Sequence, residues 1–442
     1  MNSNDHDQRP IRKGQPITRR ESLMQAALAG AGFWIASQSP YARGASPNEK
    51  LNIACIGVGG RGFGNIKGIT EENIVAFCDV DDSRAAKSYN AFPEVRRFRD
   101  FRKMFDAMEH DIDAVVVSTP DHTHFHPSMW ALERGKHLFC EKPMAHNVWE
   151  VRQMTELARE KKVATQLGCQ RHALENVHRV VELIQGGAIG EVSEVYSWYN
   201  SGRGLPGDAK TGESIPEHLD WDLWLGPSAE RAYSSSFCPY DWRFWWDFGT
   251  GEAGNWGCHI LDIPFWALNL DHPTKVEASG REVNLEKTPK SMDSRFLFPG
   301  NGERGSVTLY WSARPPKLLA EKGLDLKGAN VAFMGSEGTL VSGFNSRRLY
   351  PEDKFAGFNA PEPAIPDSPG FHQEWIQAAK GHATPPTCQF DYSGPLSEAV
   401  LLANVAYRAG SGFEWDAETL QASDNDRAQS FIREAYRKGW EQ

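Results

Sequence analysis

Gly57-Val58-Gly59-Gly60-Arg61-Gly62 follows the apolar run Leu51 to Ile56 and precedes a helical pattern. Read as G-x-G-x-x-G between a strand and a helix, it predicts a tight turn whose backbone N–H groups face a pyrophosphate. Gly57, Gly59, Gly60, Arg61 and Gly62 are therefore candidate cofactor-binding residues. In a chain with 40 glycines the match alone is weak, and its setting carries it. A second apolar run, Ile74 to Cys78, ends at Asp79, 22 residues after Gly57. An acid there accepts hydrogen bonds from an adenosine ribose and repels a 2′-phosphate, so the expected cofactor is NAD, with NADP disfavoured. Arg84, a few residues on, softens that preference.

Further strand-like runs are Ile112 to Ser118, His137 to Glu141, Val163 to Gly168 and, more weakly, Val95 to Phe98. Short continuous apolar runs suit strands covered on both faces. Between them lie helical patterns, clearest at Val148, Val151, Met154, Leu157 and Ala158, after Asn147 as N-cap with Glu150 three residues on. The expectation is an α/β, doubly wound parallel sheet of Rossmann type over residues 46–170. In its usual 3-2-1-4-5-6 order the crevice opens between strands one and four, which places Thr119 and Pro120 beside the nicotinamide half of a cofactor. Past residue 170 the runs Val192 to Tyr199, Lys275 to Val283, Ser294 to Phe298, Gly305 to Ser312 and Asn330 to Met334 are β-rich without intervening helices. They predict an α+β domain over 171–442 with a large, mainly antiparallel sheet. Phe371 to Lys380, Pro395 to Arg408 and Asp424 to Lys438 read as closing helices.

The 442 residues are 40% hydrophobic and 24% charged, which excludes disorder and collagen and suggests two domains. Residues 1–45 hold six Lys/Arg against three Asp/Glu, leaving 42 against 55 for the rest. So acidic a body argues against nucleic acid and anionic membrane surfaces as partners. The seven cysteines show no C-x-x-C spacing, so buried thiols are expected and neither zinc nor a disulfide framework. His122-Thr123-His124-Phe125-His126 invites a metal reading, but Pro120 and Pro127 bracket it and Asp121 is the nearby acid, so no metal site is expected.

Arg9, Arg12, Lys13, Arg19 and Arg20 precede the apolar run Leu23 to Ile35, and Ala42-Arg43-Gly44 follows with small residues. This reads as a signal peptide over residues 1–45 and as export to the periplasm. Thr18-Arg19-Arg20-Glu21-Ser22-Leu23 is similar to the twin-arginine (Tat) pattern, with Ser22 where that pattern prefers Phe. The alternatives are an uncleaved anchor or a disordered arm. The apolar run is too short to span a bilayer comfortably, so no stable membrane insertion is expected after cleavage.

The glycine turn, Thr119-Pro120-Asp121-His122-Thr123-His124 and Glu141-Lys142-Pro143 together resemble the Gfo/Idh/MocA oxidoreductase family, over essentially all of residues 50–440. The resemblance implies a Rossmann domain followed by a domain on a large open sheet, with C-terminal helices packed back on the first domain and a homo-oligomer formed through the sheet. It implies that Lys142 points at the oxygen of the reacting carbon, that Glu141 and His124 lie near the cofactor or substrate, and that Arg171 in Gln170-Arg171-His172 lines the site. The family's D-x-G-x-H segment supplies a proton-transferring His. Here Asn255-Trp256-Gly257-Cys258-His259 gives His259 that place but puts Asn where Asp is expected.

On a helix, Asn255, His259 and Asp262 share one face at i, i+4 and i+7, so the three converge on one ligand and Asp262 is a candidate to replace the missing acid. A neutral His accepts a hydroxyl proton near pH 7, and Lys142 stabilises the oxygen left behind. A structural, helix-capping His259 is the alternative. Trp221, Trp224, Trp242, Trp245 and Trp246 crowd residues 220–247, and an exposed subset suits the apolar faces of a sugar. Most belong to a core on this reading, with Trp242, Arg243 and Trp245 as candidates at the pocket. The expectation is an exported NAD(H)-dependent oxidoreductase acting on a secondary alcohol or ketone of a sugar, glycoside or cyclitol. The alternatives are an NAD-dependent glycoside hydrolase with no net redox change and a non-catalytic sugar-binding homologue.

Overall fold

The computed structural model describes residues 49–200 and 202–441, so the leader expected over residues 1–45 lies outside the described residues. Six strands, β1 (Asn52–Ile56), β2 (Asn73–Cys78), β3 (Arg96–Phe98), β4 (Ala114–Val117), β5 (His137–Cys140) and β6 (Thr165–Leu167), form an all-parallel sheet ordered β3-β2-β1-β4-β5-β6. Every residue of β4, β5 and β6 is buried, because crossover helices cover both faces of the sheet. The chain winds outward from β1 to β3 and restarts on the other side at β4, which opens a crevice at the carboxyl ends of β1 and β4. The helix Val148–Lys161 starts at a complete capping box: Asn147 accepts from the Glu150 N–H at 3.0 Å and Glu150 accepts from the Asn147 N–H at 3.3 Å.

A second sheet holds β7 (Val192–Trp198), β8 (Lys275–Gly280), β9 (Met292–Phe298), β10 (Val307–Ser312), β11 (Val331–Gly335), β12 (Thr339–Ser342), β13 (Arg347–Tyr350), β14 (Phe413–Asp416) and β15 (Gln421–Ala422). Its order is β13-β12-β11-β7-β10-β9-β8-β14-β15, antiparallel throughout except for β7 beside β10. Burial alternates along β9 and β10, so one face of these strands packs on the common core.

The helices Phe371–Ala379 and Phe390–Ala409 return to the first sheet. Gln166 donates to the Phe371 carbonyl at 3.1 Å, and Arg152 grips buried Glu398 with two N–H donors, each at 2.8 Å. The helix expected over Asp424 to Lys438 shrinks to Asp426–Gln429. Beyond it short turns alternate with bonds to other segments. The Trp149 N–H donates to the Ile432 carbonyl at 3.1 Å, and His126 Nε2 meets the Trp440 carbonyl at 2.8 Å. Tertiary partners outweigh helix propensity there.

A connection of the second sheet clasps the end of β2. The Asp82 N–H donates to the His218 carbonyl at 3.0 Å, the Asp220 N–H donates to the Val80 carbonyl at 2.9 Å, and His218 Nδ1 lies 2.9 Å from Asp81. Behind it Leu219, Trp221, Trp224, Phe237, Trp242, Trp245 and Phe248 form a separate core cluster. All seven cysteines are buried and unpaired. Among the described residues no helix is long and apolar enough to cross a membrane.

The tail is fastened by His146 and Glu434, 3.4 Å apart, with Arg408 on the far side of Glu434 at 2.7 Å. Burial opposes charge on His146, but the Glu434, Glu150 and Asp121 carboxylates outweigh it and hold the imidazole at about 9. Burial likewise opposes charge on Glu434, which His146 and Arg408 bring down to about 2. His146, raised, contributes fully below its ordinary range and loses that contribution as pH rises through about 9. Glu434, lowered, contributes above its ordinary range and loses it as pH falls through about 2. Limited proteolysis of residues 430–441 should therefore accelerate between pH 8 and 10 (roughly one pH unit either side of the His146 midpoint). In Glu434→Gln cleavage should be fast throughout, without that alkaline step.

Candidate active site

The glycine turn is forced by contact. Gly57 has φ +77°, and a Cβ there would lie 2.7 Å from the backbone of Ser118 and Thr119, while one on Gly62 would lie 1.9 Å from the Gly57 carbonyl oxygen. No side chain therefore fits between the β1 turn, the end of β4 and the next helix. The helix Arg61–Lys67 begins without a side-chain cap or an acid in its first turn, and the Thr119 hydroxyl is buried without a partner. Both features fit a dinucleotide lying across the turn toward β4. Asp79 accepts from the Val58 N–H at 2.8 Å and the Gly59 N–H at 3.3 Å, and its other oxygen accepts from Asp81. Burial raises this carboxyl to about 6, against the lowering effect of those N–H groups. Arg84 reaches over the turn, its guanidinium 2.9 Å from where a Gly60 Cβ would stand.

Glu141 is buried at the end of β5. It accepts from Arg61 Nε at 2.7 Å and Asn65 Nδ2 at 3.0 Å, and Asn65 also donates to the Ser118 hydroxyl at 2.9 Å. Burial pushes the Glu141 carboxyl up, and Arg61 and Lys142 more than reverse this, so it sits below its ordinary range. His124 bridges the two loops at the crevice, Nε2 to the Thr119 carbonyl and Nδ1 to the Pro143 carbonyl, both at 2.8 Å. Two carbonyl partners are satisfied together only by the doubly protonated ring. Although burial opposes that charge, the neighbouring Cys140, Asp121 and Pro143 hold His124 at about 9.

Lys142 points across to the second domain, where Nζ donates to the Asn255 backbone carbonyl at 2.9 Å and to Asn255 Oδ1 at 3.0 Å. Asn255 lies in a π-helical turn, Ala253–Gly257, that opens the helix Cys258–Ala267. Its Nδ2 donates to Glu252 at 2.8 Å, which orients Oδ1 toward Lys142. Glu252 is itself buried and held by two N–H groups of Arg203, which also donates to Tyr240 at 2.9 Å. The negative charge facing this corner thus comes from Glu252 and acts on Lys142 through an amide.

His259 is buried, with Nδ1 unpartnered and the Trp256 ring 6.2 Å away. Burial, then the charges of Lys142, Arg171 and Arg61, hold it well below the usual histidine range, so the imidazole is neutral. Arg171 lies over the Phe344 ring at 4.2 Å and the Trp256 ring at 5.5 Å.

The description "Oxidoreductase family, NAD-binding Rossmann fold" matches residues 51–169, and "Oxidoreductase family, C-terminal alpha/beta domain" matches residues 188–442. The chain belongs to the Gfo/Idh/MocA oxidoreductase family. It is 27% identical over 203 residues to a glycosyl hydrolase family 109 protein of Solibacter usitatus, covering 41% of this chain and 46% of that one. It is 24% identical over 186 residues to a levoglucosan dehydrogenase of Pseudarthrobacter phenanthrenivorans, covering 42% and 40%. The chain thus spans less than half the length of these two curated relatives. The WlbA dehydrogenase of Chromobacterium violaceum, solved with NADH and UDP-GlcNAcA, shares the fold with a TM-score of 0.59 at 16% identity, over 85% of this chain and 99% of that one.

Within this Gfo/Idh/MocA site the structure brings Lys142, Asn255, His259 and Arg171 together and leaves Asp262 out, which corrects the expectation of one shared face. Asp262 follows His259 by three residues on the regular helix Cys258–Ala267, about 60° round its axis, and turns into the core. There His172 Nδ1 lies 2.8 Å from it and the Tyr392 hydroxyl donates to it at 2.6 Å. With Cys388 these side chains could surround a small cation, but the close pairing of His172 with Asp262 already satisfies the carboxylate. Trp242 and Trp245 are likewise withdrawn from the pocket into the Trp-rich core. Arg243 stacks on Trp242 at 4.4 Å and on Tyr240 at 5.0 Å.

Glu252, Arg203 and Trp256 were not singled out by the sequence. Glu252 alone carried a signal, an acid in the otherwise small and apolar run around Gly251 to Gly254, since a buried acid demands a partner. Glu252→Gln keeps its shape but removes the charge that orders Asn255. Denaturant unfolding should show a loss of about 1–3 kcal/mol, from one charge-assisted buried hydrogen-bond set, whereas Asp241→Asn on the neighbouring loop should leave stability unchanged.

Proposed function

We propose that this chain moves a hydride between a nicotinamide cofactor and a secondary alcohol or ketone of a sugar or cyclitol. The observation that carries this reading is the pairing of an ammonium with a neutral imidazole across Asn255, at the carboxyl edge of the parallel sheet. Gly57, Gly59, Gly60, Arg61 and Gly62 would hold the pyrophosphate, Asp79 the adenosine ribose, and Thr119 and Pro120 the nicotinamide end. A dinucleotide bound there supplies the hydride acceptor or donor. In the oxidising direction His259 takes the hydroxyl proton, and Lys142 stabilises the oxygen as negative charge builds on it. Asn255 fixes the Lys142 ammonium without competing for the proton. Glu141 and His124 act at one remove, keeping the loops that carry Arg61, Thr119 and Pro143 in register.

The glycosyl hydrolase family 109 relative supports a second reading, in which oxidation is transient, a glycosidic bond breaks, and the nucleotide returns to its starting state. Absorbance of reduced nicotinamide and of released nitrophenol, recorded together on a panel of sugars and nitrophenyl glycosides, separates the two. Sustained or single-equivalent NADH formation supports the dehydrogenase, whereas nitrophenol without net NADH supports the hydrolase. We also propose export, which rests on the arginines and apolar run of residues 9–35, and self-association through the second sheet, which rests on family likeness.

His259→Ala and Lys142→Ala should each lower kcat by roughly a hundredfold or more, the scale of a lost acid–base or electrostatic group, with NAD affinity changed less than about twofold by calorimetry. Full turnover in His259→Ala would remove the base assignment. Asp79→Ala should weaken NAD binding about tenfold, the worth of one charged hydrogen-bond partner, and narrow the gap between NAD and NADP.

A further inference from the structure

Arg171 lies in the crevice without a counter-charge. It sits four residues past the end of β6, half-buried, with the Phe344 and Trp256 rings against its guanidinium. Among the described residues its guanidinium has no hydrogen-bond or ion-pair partner. Aromatic faces cover the face of a guanidinium and leave its in-plane N–H donors to water or to a ligand, and a carboxylate that replaces that water forms a charge-assisted pair in a partly desolvated crevice.

The carboxylates nearby are already committed. Glu141 is held by Arg61 and Asn65, and Glu252 by Arg203 and Asn255. Lys142 makes its hydrogen bonds to the neutral oxygens of Asn255. The charged groups that bear on His259 are Lys142, Arg171 and Arg61, all of them cationic. This positive corner stands out in a body whose residues after the leader hold 42 basic against 55 acidic side chains. A single planar fork beside the reacting pair matches a carboxylate, which accepts two parallel N–H bonds, better than a phosphate, which asks for several converging donors.

From the lone Arg171 fork, we propose that the substrate is a sugar acid whose carboxylate docks on Arg171 while a ring or chain hydroxyl lies between Lys142 and His259. The arrangement rests on the hydride-transfer reading above. The carboxylate also offsets the cations around His259 and so raises the basicity of the imidazole.

The test pairs each acid with a neutral isostere. Glucuronate, galacturonate and gluconate are each compared with the corresponding amide in calorimetry and initial-rate assays on the protein loaded with NAD; glucose 6-phosphate is the phosphate control. At least one acid should bind or turn over tenfold or more better than its neutral partner. Arg171→Gln should erase that preference, Arg171→Lys should keep part of it, and NAD affinity should stay within twofold in both variants. Equal use of acid and neutral partner, binding of the phosphate alone, acid binding untouched by Arg171→Gln, or no acid-specific binding in the panel would overturn the proposal. NADH formation from neutral sugars without acid preference removes the charge inference and spares the hydride-transfer reading. Acid binding without hydride transfer removes that reading and spares the carboxylate site.

Discussion

The buried carboxylate of Glu141 is the point on which the crevice depends. A charge at the end of β5 is tolerable only if donors surround it, and the donors come from the helix after the glycine turn, Arg61 and Asn65. Asn65 passes the constraint on to Ser118 after β4 and, through its carbonyl, to His372 at 3.3 Å on the returning C-terminal helix. Gly168 completes the enclosure, since a Cβ there would stand 2.7 Å from the Glu141 carboxyl carbon. Thus one charge aligns the ends of several strands and leaves Lys142, the next residue, free to cross to the second domain.

The second domain completes the crevice at both ends. At one end its π-helical turn meets Lys142, and at the other its 216–220 segment hydrogen-bonds to the backbone after β2. The first contact is made by the Lys142 ammonium on Asn255 and the second by backbone groups, each with defined hydrogen-bond geometry. The Trp-rich cluster lies behind the clasp, and His122 ties it to the first domain through the Trp224 and Phe248 carbonyls. Those tryptophans stiffen a connection instead of facing a ligand.

The parallel sheet was legible because strands covered on both faces read as unbroken apolar runs, and the glycine turn because its contacts exclude every Cβ. β12, β13, β14 and β15 were missed: they are two to four residues long, and the lateral strands β13, β14 and β15 alternate or expose their residues. The tail misled because Ile432, Tyr436 and Trp440 look helical in spacing while their partners lie on other segments, Trp149 and Glu150 on one helix and Phe101 on another. In the site, Lys142, His259 and Arg171 were readable as residue types at marked positions. Asp262 was misjudged because helical spacing does not show which edge of a shared face is covered, and His172 and Tyr392 cover this one. Glu252 and Arg203 meet across 49 residues of chain, a pairing no local pattern encodes.

The amide at 255 also constrains how this sequence can change. Its Nδ2 is 2.8 Å from a carboxylate oxygen of Glu252, a separation that suits a donor and an acceptor but sets two anions against each other. An aspartate at 255 therefore sets two carboxylates against each other on this backbone unless Glu252 is lost or neutralised, and a neutral residue at 252 removes the ion pair of Arg203, which keeps its bond to Tyr240. The two positions form a lock in which mutational order matters. Descendants of this chain can reach the acidic arrangement by passing through a weakened intermediate, or by changing both residues at once.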